Sequence, residues 1–162
     1  MTSVEEYLRT SYRPDCDYVD GEVLERNLGE IEHSGTQGEI IFYLRSRYPS
    51  LRRRVLPEQR VQMRAQRFRV PDVCVLAADA PHEKIVRTPP LLCIEVLSKD
   101  DSMGEMMERI DEYFDMGVGA CWIIDPLRNR AWCSARRGQM TEPADGVLRA
   151  GTIEMPLAEV IS

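Results

Sequence analysis

The chain has 162 residues, of which 43% are hydrophobic and 30% charged, and its formal net charge is −6. This composition predicts one folded domain with a sizeable core and excludes an intrinsically disordered chain. No apolar run approaches the roughly 18 residues that span a bilayer, so we expect a cytoplasmic protein without a membrane segment. The five cysteines are odd in number and form no CxxC pair, which favours reduced, buried thiols over a disulfide framework or a zinc site.

The N-terminal residues predict a short helix followed by a hairpin. In SVEEYLRTSY, Ser3 is placed as an N-cap and Glu6 lies three residues later, which is the pattern of a capping box. The segment from Cys16 to Leu28 carries Asp20-Gly21 between two arms that contain apolar residues, and this is a hairpin signal.

The middle of the chain predicts a longer helix and then three strands. Apolar residues recur near helical spacing from about His33 to Arg47, which favours a helix. Residues 54–63 and 68–76 are strand-like and are joined by a polar turn. LLCIEVL, residues 91–97, is short and almost continuously apolar, which is typical of a central strand.

The clearest helix is predicted from Ser102 to Met116. Ser102 and Glu105 form a second capping box, and Gly117 is a suitable C-cap. The apolar residues of this segment fall on one stripe, so we expect the helix to pack one face against a sheet.

The last part of the chain predicts two more strands and an irregular tail. The strands are ACWIIDP (120–126) and RAWCSAR (130–136), and the tail from Pro143 is expected to be loop-like with a short closing element. The order of elements predicts an α/β fold: a mixed β-sheet flanked by helices, with an N-terminal helix and hairpin as an extension. We expect a single domain over residues 1–162, with a core over about 33–135.

Two acids interrupt apolar strands. Asp72 lies within RVPDVCVL and Glu95 within LLCIEVL, and a buried carboxylate without a partner costs several kcal/mol. Because side chains alternate along a strand, the two acids can lie side by side if their strands are neighbours. A cation between them would relieve their repulsion, and oxygen ligands suit Mg²⁺ or Mn²⁺. The alternative for each acid is a cap of its own, made by an arginine or by backbone donors.

Candidate cations follow the second acid. Lys99 comes four residues after Glu95, and Arg109 lies on the inner stripe of the helix predicted over 102–116. Arg109 would place a positive charge near a metal-bound phosphate or water. Its alternative role is an ordinary surface pair with Glu105, four residues earlier.

The segment from Arg45 to Arg69 holds nine arginines against the single acid Glu58, a charge of +8 in an acidic protein. A basic band of this kind would hold a polyanion at one place only. The alternative is a solvated face on a long hairpin.

Several motifs together resemble a known family. RVPDVCVL, IEVLSKDD and RIDEYFDMGVGACWIIDP occur in that order, and CDYVDGEVLERN followed by EHS precedes them. Over about residues 3–135 they resemble the Uma-two family of restriction-endonuclease-like proteins, which belongs to the PD-(D/E)XK nuclease superfamily. The resemblance implies an α-β-β-β-α-β core and hydrolysis of DNA phosphodiester bonds with Mg²⁺ or Mn²⁺.

The resemblance also implies residue roles. Asp72 and Glu95 would be the metal ligands. The superfamily often adds an acid from the first core helix, for which Glu39 is the best placed residue here. His33, at the start of that helix, matches a histidine that is common in the family.

One position departs from the superfamily pattern. The lysine expected two residues after Glu95 is replaced by Leu97. The resemblance puts Arg109 of the following helix in its place, and Lys99 is a second substitute. Arginine stabilises negative charge but cannot lose a proton to act as a base.

Three functions follow from these observations. The leading hypothesis is a Mg²⁺-dependent DNA endonuclease, acting as a homodimer because a cut through both strands needs two sites. The second is a nucleic-acid-binding or regulatory module of the same fold that does not cleave, which Leu97 favours. The third is a protein-interaction domain, which the overall acidity favours.

Overall fold

The computed structural model describes residues 1–27 and 30–161 of the chain. Its helices are α1 (Val4–Arg9), α2 (Ile31–Arg47) and α3 (Met103–Met116). Its strands are β1 (Asp17–Val19), β2 (Glu22–Leu24), β3 (Val55–Pro57), β4 (Val61–Arg64), β5 (Arg67–Arg69), β6 (Val73–Val75), β7 (Leu92–Val96), β8 (Ala120–Asp125), β9 (Arg130–Arg136), β10 (Gln139–Thr141), β11 (Val147–Ala150) and β12 (Ile153–Pro156).

A six-stranded mixed sheet forms the centre of the fold. Its strand order is β10-β9-β8-β7-β6-β3, with β7 and β8 parallel and the other pairs antiparallel. The parallel pair is joined through α3, because parallel strands need a long crossover and a helix supplies it. Helix α3 packs on one face of the sheet through Met106, Ile110 and Tyr113. Helix α2 packs on the other face through Ile40 and Leu44.

A smaller antiparallel sheet, in the order β2-β1-β5-β4, carries α1. Tyr7 of α1 meets Tyr18 of β1 and Phe68 of β5, and all three aromatic side chains are buried. The ring centroid of Tyr7 lies 5.0 Å from that of Tyr18 and 5.3 Å from that of Phe68, which is a typical aromatic packing distance. The N-terminal helix and hairpin are therefore an extension with a core of its own.

The predicted N-caps of α1 and α3 and the predicted C-cap of α3 are confirmed. Ser3 Oγ accepts from the Glu6 N–H at 3.1 Å, and Ser102 Oγ accepts from the Glu105 N–H at 3.1 Å. Gly117 follows α3 with a φ of 109°. The hairpin turn is confirmed between β1 and β2, although Leu28, the last residue of the predicted hairpin segment, lies outside the described residues.

Two predicted strands are each divided in the structure. Residues 54–63 form β3 in the large sheet and β4 in the small one, and residues 68–76 form β5 and β6 in the same way. Glu58 breaks the first segment with a φ of 47°, and Pro71, which has no N–H to donate to a ladder, breaks the second. The prediction of two continuous strands is therefore wrong, because each segment crosses from one sheet to the other.

The tail also differs from expectation. The part expected to be a loop forms the hairpin β11–β12, paired from Val147 opposite Pro156 to Ala150 opposite Ile153, and a short 3-10 helix at Leu157–Glu159 follows it. Leu148, Ile153 and Met155 are buried in the same core cluster as α2. The tail thus completes the cover of one sheet face, and the core reaches beyond residue 135.

All five cysteines are free thiols, and all but Cys133 are buried. Among the described residues, no helix combines the length and the apolar character that crossing a bilayer requires.

Candidate active site

A cavity of about 400 Å³ opens where the two sheets meet. The chain passes between the sheets twice, through residues 58–60 and 70–72, and these crossings bring β1, the end of β7 and α3 to one place. The cavity is lined by seven carboxylates (Asp17, Glu25, Asp72, Glu95, Asp101, Glu105 and Glu108) and three guanidiniums (Arg26, Arg69 and Arg109).

The two strand acids lie side by side, because the strands that carry them are neighbours in the large sheet. Strands β6 and β7 pair with Val73 opposite Ile94 and Cys74 opposite Cys93. The residue before Val73 is Asp72 and the residue after Ile94 is Glu95, so the antiparallel register sets the two acids opposite each other. Both side chains are buried.

Asp72 has partners on both carboxylate oxygens. Its Oδ2 accepts from the Val96 N–H at 2.7 Å and lies 3.3 Å from His33 Nε2. Its Oδ1 accepts from Arg26 Nη2 at 2.8 Å. Burial by itself raises the pKa of Asp72, but His33, Arg26 and the Val96 N–H outweigh it and hold the pKa below its ordinary value.

Glu95 is only 3% exposed and has both of its contacts on one oxygen. Its Oε1 accepts from Arg109 Nε at 3.0 Å and from the Tyr113 hydroxyl at 2.5 Å. Burial, reinforced by the charge of Asp72, raises the pKa of Glu95 to about 7 although Arg109 and Tyr113 oppose the shift. The two acids of the pair therefore have pKa values displaced in opposite directions.

Asp17 of β1 is a third buried acid in this site. It accepts from the Val70 N–H at 2.8 Å, and it forms ion pairs with Arg109 and, at 3.3 Å, with Arg69. Burial raises the pKa of Asp17, but the charges of Arg109 and Arg69 and the Val70 N–H lower it by more. The pKa of Asp17 therefore lies below its ordinary value. Arg109 thus bridges Asp17 and Glu95 and is not the surface partner of Glu105.

Helix α2 contributes two residues one turn apart. His33 is buried, and although burial lowers its pKa, the hydrogen bond and charge of Asp72 raise the pKa above its ordinary value. Gln37 donates Nε2 to the Asp72 carbonyl at 2.8 Å. His33 was predicted from the sequence and Gln37 was not, although the spacing of four residues puts both on one helix face.

Other residues predicted for the site lie elsewhere. Lys99 is 67% exposed and its Nζ lies 3.5 Å from Glu30 Oε1, so it does not line the cavity. Glu39 is on the exposed face of α2 and does not line the cavity either. Leu97, at the position of the expected lysine, is buried in the core cluster beneath α3.

The arginines of the Arg45–Arg69 band do not form one surface. Arg60 pairs with Asp15 at 2.7 Å, and Arg69 Nε donates to Glu112 Oε2 at 2.6 Å. Arg67 binds the same Glu112 carboxylate. Part of the band is therefore used in holding the small sheet to α1 and α3, and the exposed arginines include those at the end of α2 and after it.

The carboxylate oxygens that line the cavity are of the chemical type that binds a divalent metal ion. Among the described residues, no three His, Cys, Asp or Glu side chains converge as ligands. The fit therefore rests on Asp72 and Glu95, and Mg²⁺ often takes only one or two carboxylates while it keeps several waters. Each acid also accepts a hydrogen bond from an arginine, which is the alternative that the sequence left open. Glu95 Oε2, however, has no hydrogen bond within the described part of the chain.

The arrangement defines the class of fold. The structure resembles a crystal structure from Anabaena variabilis, described as "a putative nuclease belonging to DUF820", with a TM-score of 0.81 and 18% sequence identity. The match covers 99% of this chain and 97% of that one. The expected restriction-endonuclease-like α/β fold is thereby confirmed.

The family follows from the sequence match. The model of the Uma2 family, described as "putative restriction endonuclease", matches residues 4–156. This chain belongs to that family, which confirms the resemblance seen in its motifs. No curated protein matches the chain.

Proposed function

We propose that this protein is a divalent-metal-dependent endonuclease that hydrolyses phosphodiester bonds in DNA. The observation that carries the proposal is the pair of buried acids, Asp72 and Glu95, opposite each other on paired strands at the edge of a cavity. Membership of the Uma2 family, with its description "putative restriction endonuclease", supports a nucleic acid as substrate.

The charge of the cavity supports the need for a metal. Seven carboxylates and three guanidiniums line it, so an anionic phosphodiester that entered alone would be repelled. The same excess of carboxylates attracts divalent cations. A bound divalent cation would offset the negative charge of the cavity and so reduce the repulsion of the phosphodiester. Mg²⁺ or Mn²⁺ is therefore the cofactor that we propose.

Asp72 and Glu95 would hold the ion. When bound, it would polarise a phosphate oxygen and lower the pKa of a coordinated water. The Val96 N–H and His33 fix the orientation of Asp72, and the Tyr113 hydroxyl fixes that of Glu95. Such supports keep carboxylates aimed at one point, which is what a metal site requires of the groups around its ligands.

We propose Arg109 as the cation that acts on the reacting phosphate, and its position supports this role. Arg109 lines the cavity. Its Nε donates to Glu95, and its Nη2 donates to Asp17 and to the Val70 carbonyl. A guanidinium held by two acids is preorganised to stabilise negative charge that develops nearby. It does not act as a base, since it keeps its proton at any working pH.

The remaining arginines suit contacts with a duplex. Three exposed arginines lie at and just beyond the C-terminal end of α2: Arg47, Arg52 and Arg53. Helix α2 has 17 residues and is about 25 Å long, and His33 lies in its first turn, at the opposite end. We assign phosphate contacts to the three arginines, at a distance from the cut. A cut through both strands needs two sites, so the proposed acting form is a homodimer.

The test is nicking of supercoiled plasmid in Mg²⁺ and in Mn²⁺. We expect Asp72→Asn to lose at least about 100-fold in rate, because it removes the charge of a proposed metal ligand. Asp79→Asn, the same change at an exposed turn, is the matched control and should cut like the wild type. Equal rates for all three proteins would exclude this site.

A second candidate function is a nucleic-acid-binding module that does not cleave. Leu97 in place of the expected lysine, with Arg109 unable to act as a base, favours it. It predicts salt-sensitive DNA binding that survives Glu95→Ala, with no product in either metal. A protein-interaction domain predicts neither DNA binding nor saturable Mn²⁺ binding in calorimetry.

A further inference from the structure

The segment after β2 reaches across the cavity and places a guanidinium on one of the two strand acids. Arg26 donates Nη2 to Asp72 Oδ1 at 2.8 Å and Nη1 to Glu58 Oε1 at 3.0 Å. The next residue, Asn27, donates to Asp101 Oδ1 at 2.8 Å, on the loop before α3. Only 6% of the Arg26 side chain is exposed, so its charge is enclosed between Asp72 and Glu58.

The two oxygens of Asp72 have different surroundings. Oδ2 is engaged by the Val96 N–H and by His33, whereas Oδ1 has Arg26 as its partner among the described residues. Oδ1 is therefore the oxygen through which Asp72 would reach an ion in the cavity. A divalent ion binds a carboxylate oxygen at about 2.0–2.6 Å and repels a guanidinium, so the two cations compete for that oxygen.

Glu58 offers the guanidinium a second position. It is 38% exposed and has a φ of 47°, in the left-handed region that residues with a side chain rarely adopt. Its N–H donates to the Asp72 carbonyl at 3.3 Å, and this backbone hydrogen bond between two chain segments holds both acids near Arg26. If Arg26 left Asp72, its pair with Glu58 would remain, and no charge would be left buried without a partner.

We propose that Arg26 is an exchangeable counter-ion, which neutralises Asp72 in the metal-free protein and moves to Glu58 alone when a divalent cation binds. The inference rests on the metal site of the proposed function and adds how that site is regulated. Metal affinity is set by the competition between Arg26 and the ion, and Glu58 lowers the cost of the exchange.

The first experiment measures Mn²⁺ affinity at pH 8 from the electron paramagnetic resonance signal of free Mn²⁺. Arg26→Gln should lower the Kd at least about 10-fold, because it removes the competing cation. Arg69→Gln is the matched control: Arg69 lines the same cavity but pairs with Asp17 and Glu112, so its removal should change the Kd less than about 3-fold. Equal tightening by both variants would mean a general field effect and would overturn the exchange.

The second experiment tests the role of Glu58 by a double-mutant cycle. Glu58→Gln should weaken Mn²⁺ binding in the wild type, because the displaced guanidinium loses its acceptor. The same change should have no effect in the Arg26→Gln background, because no guanidinium then needs the acceptor. An equal effect of Glu58→Gln in both backgrounds would reject the exchange.

A measurement on the wild type keeps the proposal testable if a variant does not fold. In a titration with diamagnetic Mg²⁺, the ¹⁵N signals of the Arg26 guanidinium should shift, and those of Arg69 should stay within the scatter. Unchanged Arg26 signals at saturating Mg²⁺, or absence of metal binding in every variant, would overturn the proposal.

A protein that cuts DNA but whose Arg26→Gln variant binds Mn²⁺ unchanged would reject the counter-ion role alone. Tighter binding in Arg26→Gln without any DNA cleavage would reject the nuclease function alone.

Discussion

Glu95 shows how one residue can be costly for the fold and useful for the site. It is almost fully buried next to a second acid, and its pKa is raised to about 7. One guanidinium, from Arg109, is shared between Glu95 and Asp17, so it does not fully offset the burial. Buried acids with raised pKa values are common at functional sites, where the structure tolerates them for the chemistry they allow.

This pKa shift predicts a pH dependence of stability. The folded chain binds the Glu95 proton more tightly than the unfolded chain, where the ordinary value is 4.5. The resulting stabilisation is complete below that value and is lost as the pH rises through about 7. In Glu95→Gln the loss is absent, so between pH 5 and pH 8 the free energy of unfolding should shift in favour of the variant by roughly 1–3 kcal/mol.

Urea denaturation of both proteins at pH 5 and pH 8, without divalent metal, measures this difference. Glu105→Gln makes the same change at an exposed position of the cavity and is the control. A difference between Glu95→Gln and the wild type that is constant with pH would contradict the raised pKa.

At the scale of the element, α3 brings one guanidinium and one hydroxyl to the acid of β7. Its capped start and its glycine end define its register, and buried Met106 and Ile110 fix the face that it turns to the sheet. Arg109 and Tyr113 lie on that same face and therefore reach Glu95.

The glycines at the two ends of α3, one in its first turn and one just after it, predict opposite effects of the same substitution. Gly104 lies in the first turn, with open space where a methyl group would lie, so Gly104→Ala should stabilise the protein by about 0.5–1 kcal/mol. Gly117 ends the helix at a φ of 109°, and a Cβ there would lie 3.2 Å from Pro89 Cγ. Gly117→Ala should therefore destabilise the protein by at least about 1 kcal/mol.

Thermal unfolding followed by circular dichroism measures both glycine variants, and each serves as the control for the other. Changes of the same sign would show that backbone conformation does not distinguish the two positions.

The elements also show where local sequence signals end. The caps of α1 and α3, and the apolar strands β7 and β8, depend on neighbouring residues and were predictable. The division of residues 54–63 and 68–76 between two sheets was not, because an alternating strand pattern does not say which sheet it joins. A proline such as Pro71 is a general sequence signal for a break in a strand, whereas the left-handed φ of Glu58 has no such signal.

At the scale of the whole molecule, the tail hairpin is part of the main core. Leu148 is fully buried among residues of the large sheet, and Trp122 Nε1 donates to the Arg149 carbonyl at 3.1 Å. We therefore expect the hairpin to unfold together with the sheet and not as a separate unit.

Leu148→Ala should reduce the free energy of unfolding by about 2–5 kcal/mol, because it leaves a cavity in the core. Leu127→Ala removes the same atoms from a side chain that is 47% exposed, and it should cost less than about 0.5 kcal/mol. Urea titrations followed by tryptophan fluorescence and by far-ultraviolet circular dichroism should give coincident transitions for both. A separate early transition in Leu148→Ala would show that the tail folds independently.

The sequence by itself determined the fold class, the family, the capped helices and the presence of one acid in each of two apolar strand segments. These depend on periodicity, caps and motifs, all of which are read within a few residues. Only the tertiary structure decided which charges meet. Arg26 reaches Asp72 across 46 positions and Arg109 reaches Asp17 across 92, and the same folding leaves Lys99 and Glu39 outside the cavity. An ion pair of this kind depends on where two sheets cross, and no local pattern of residues encodes that crossing.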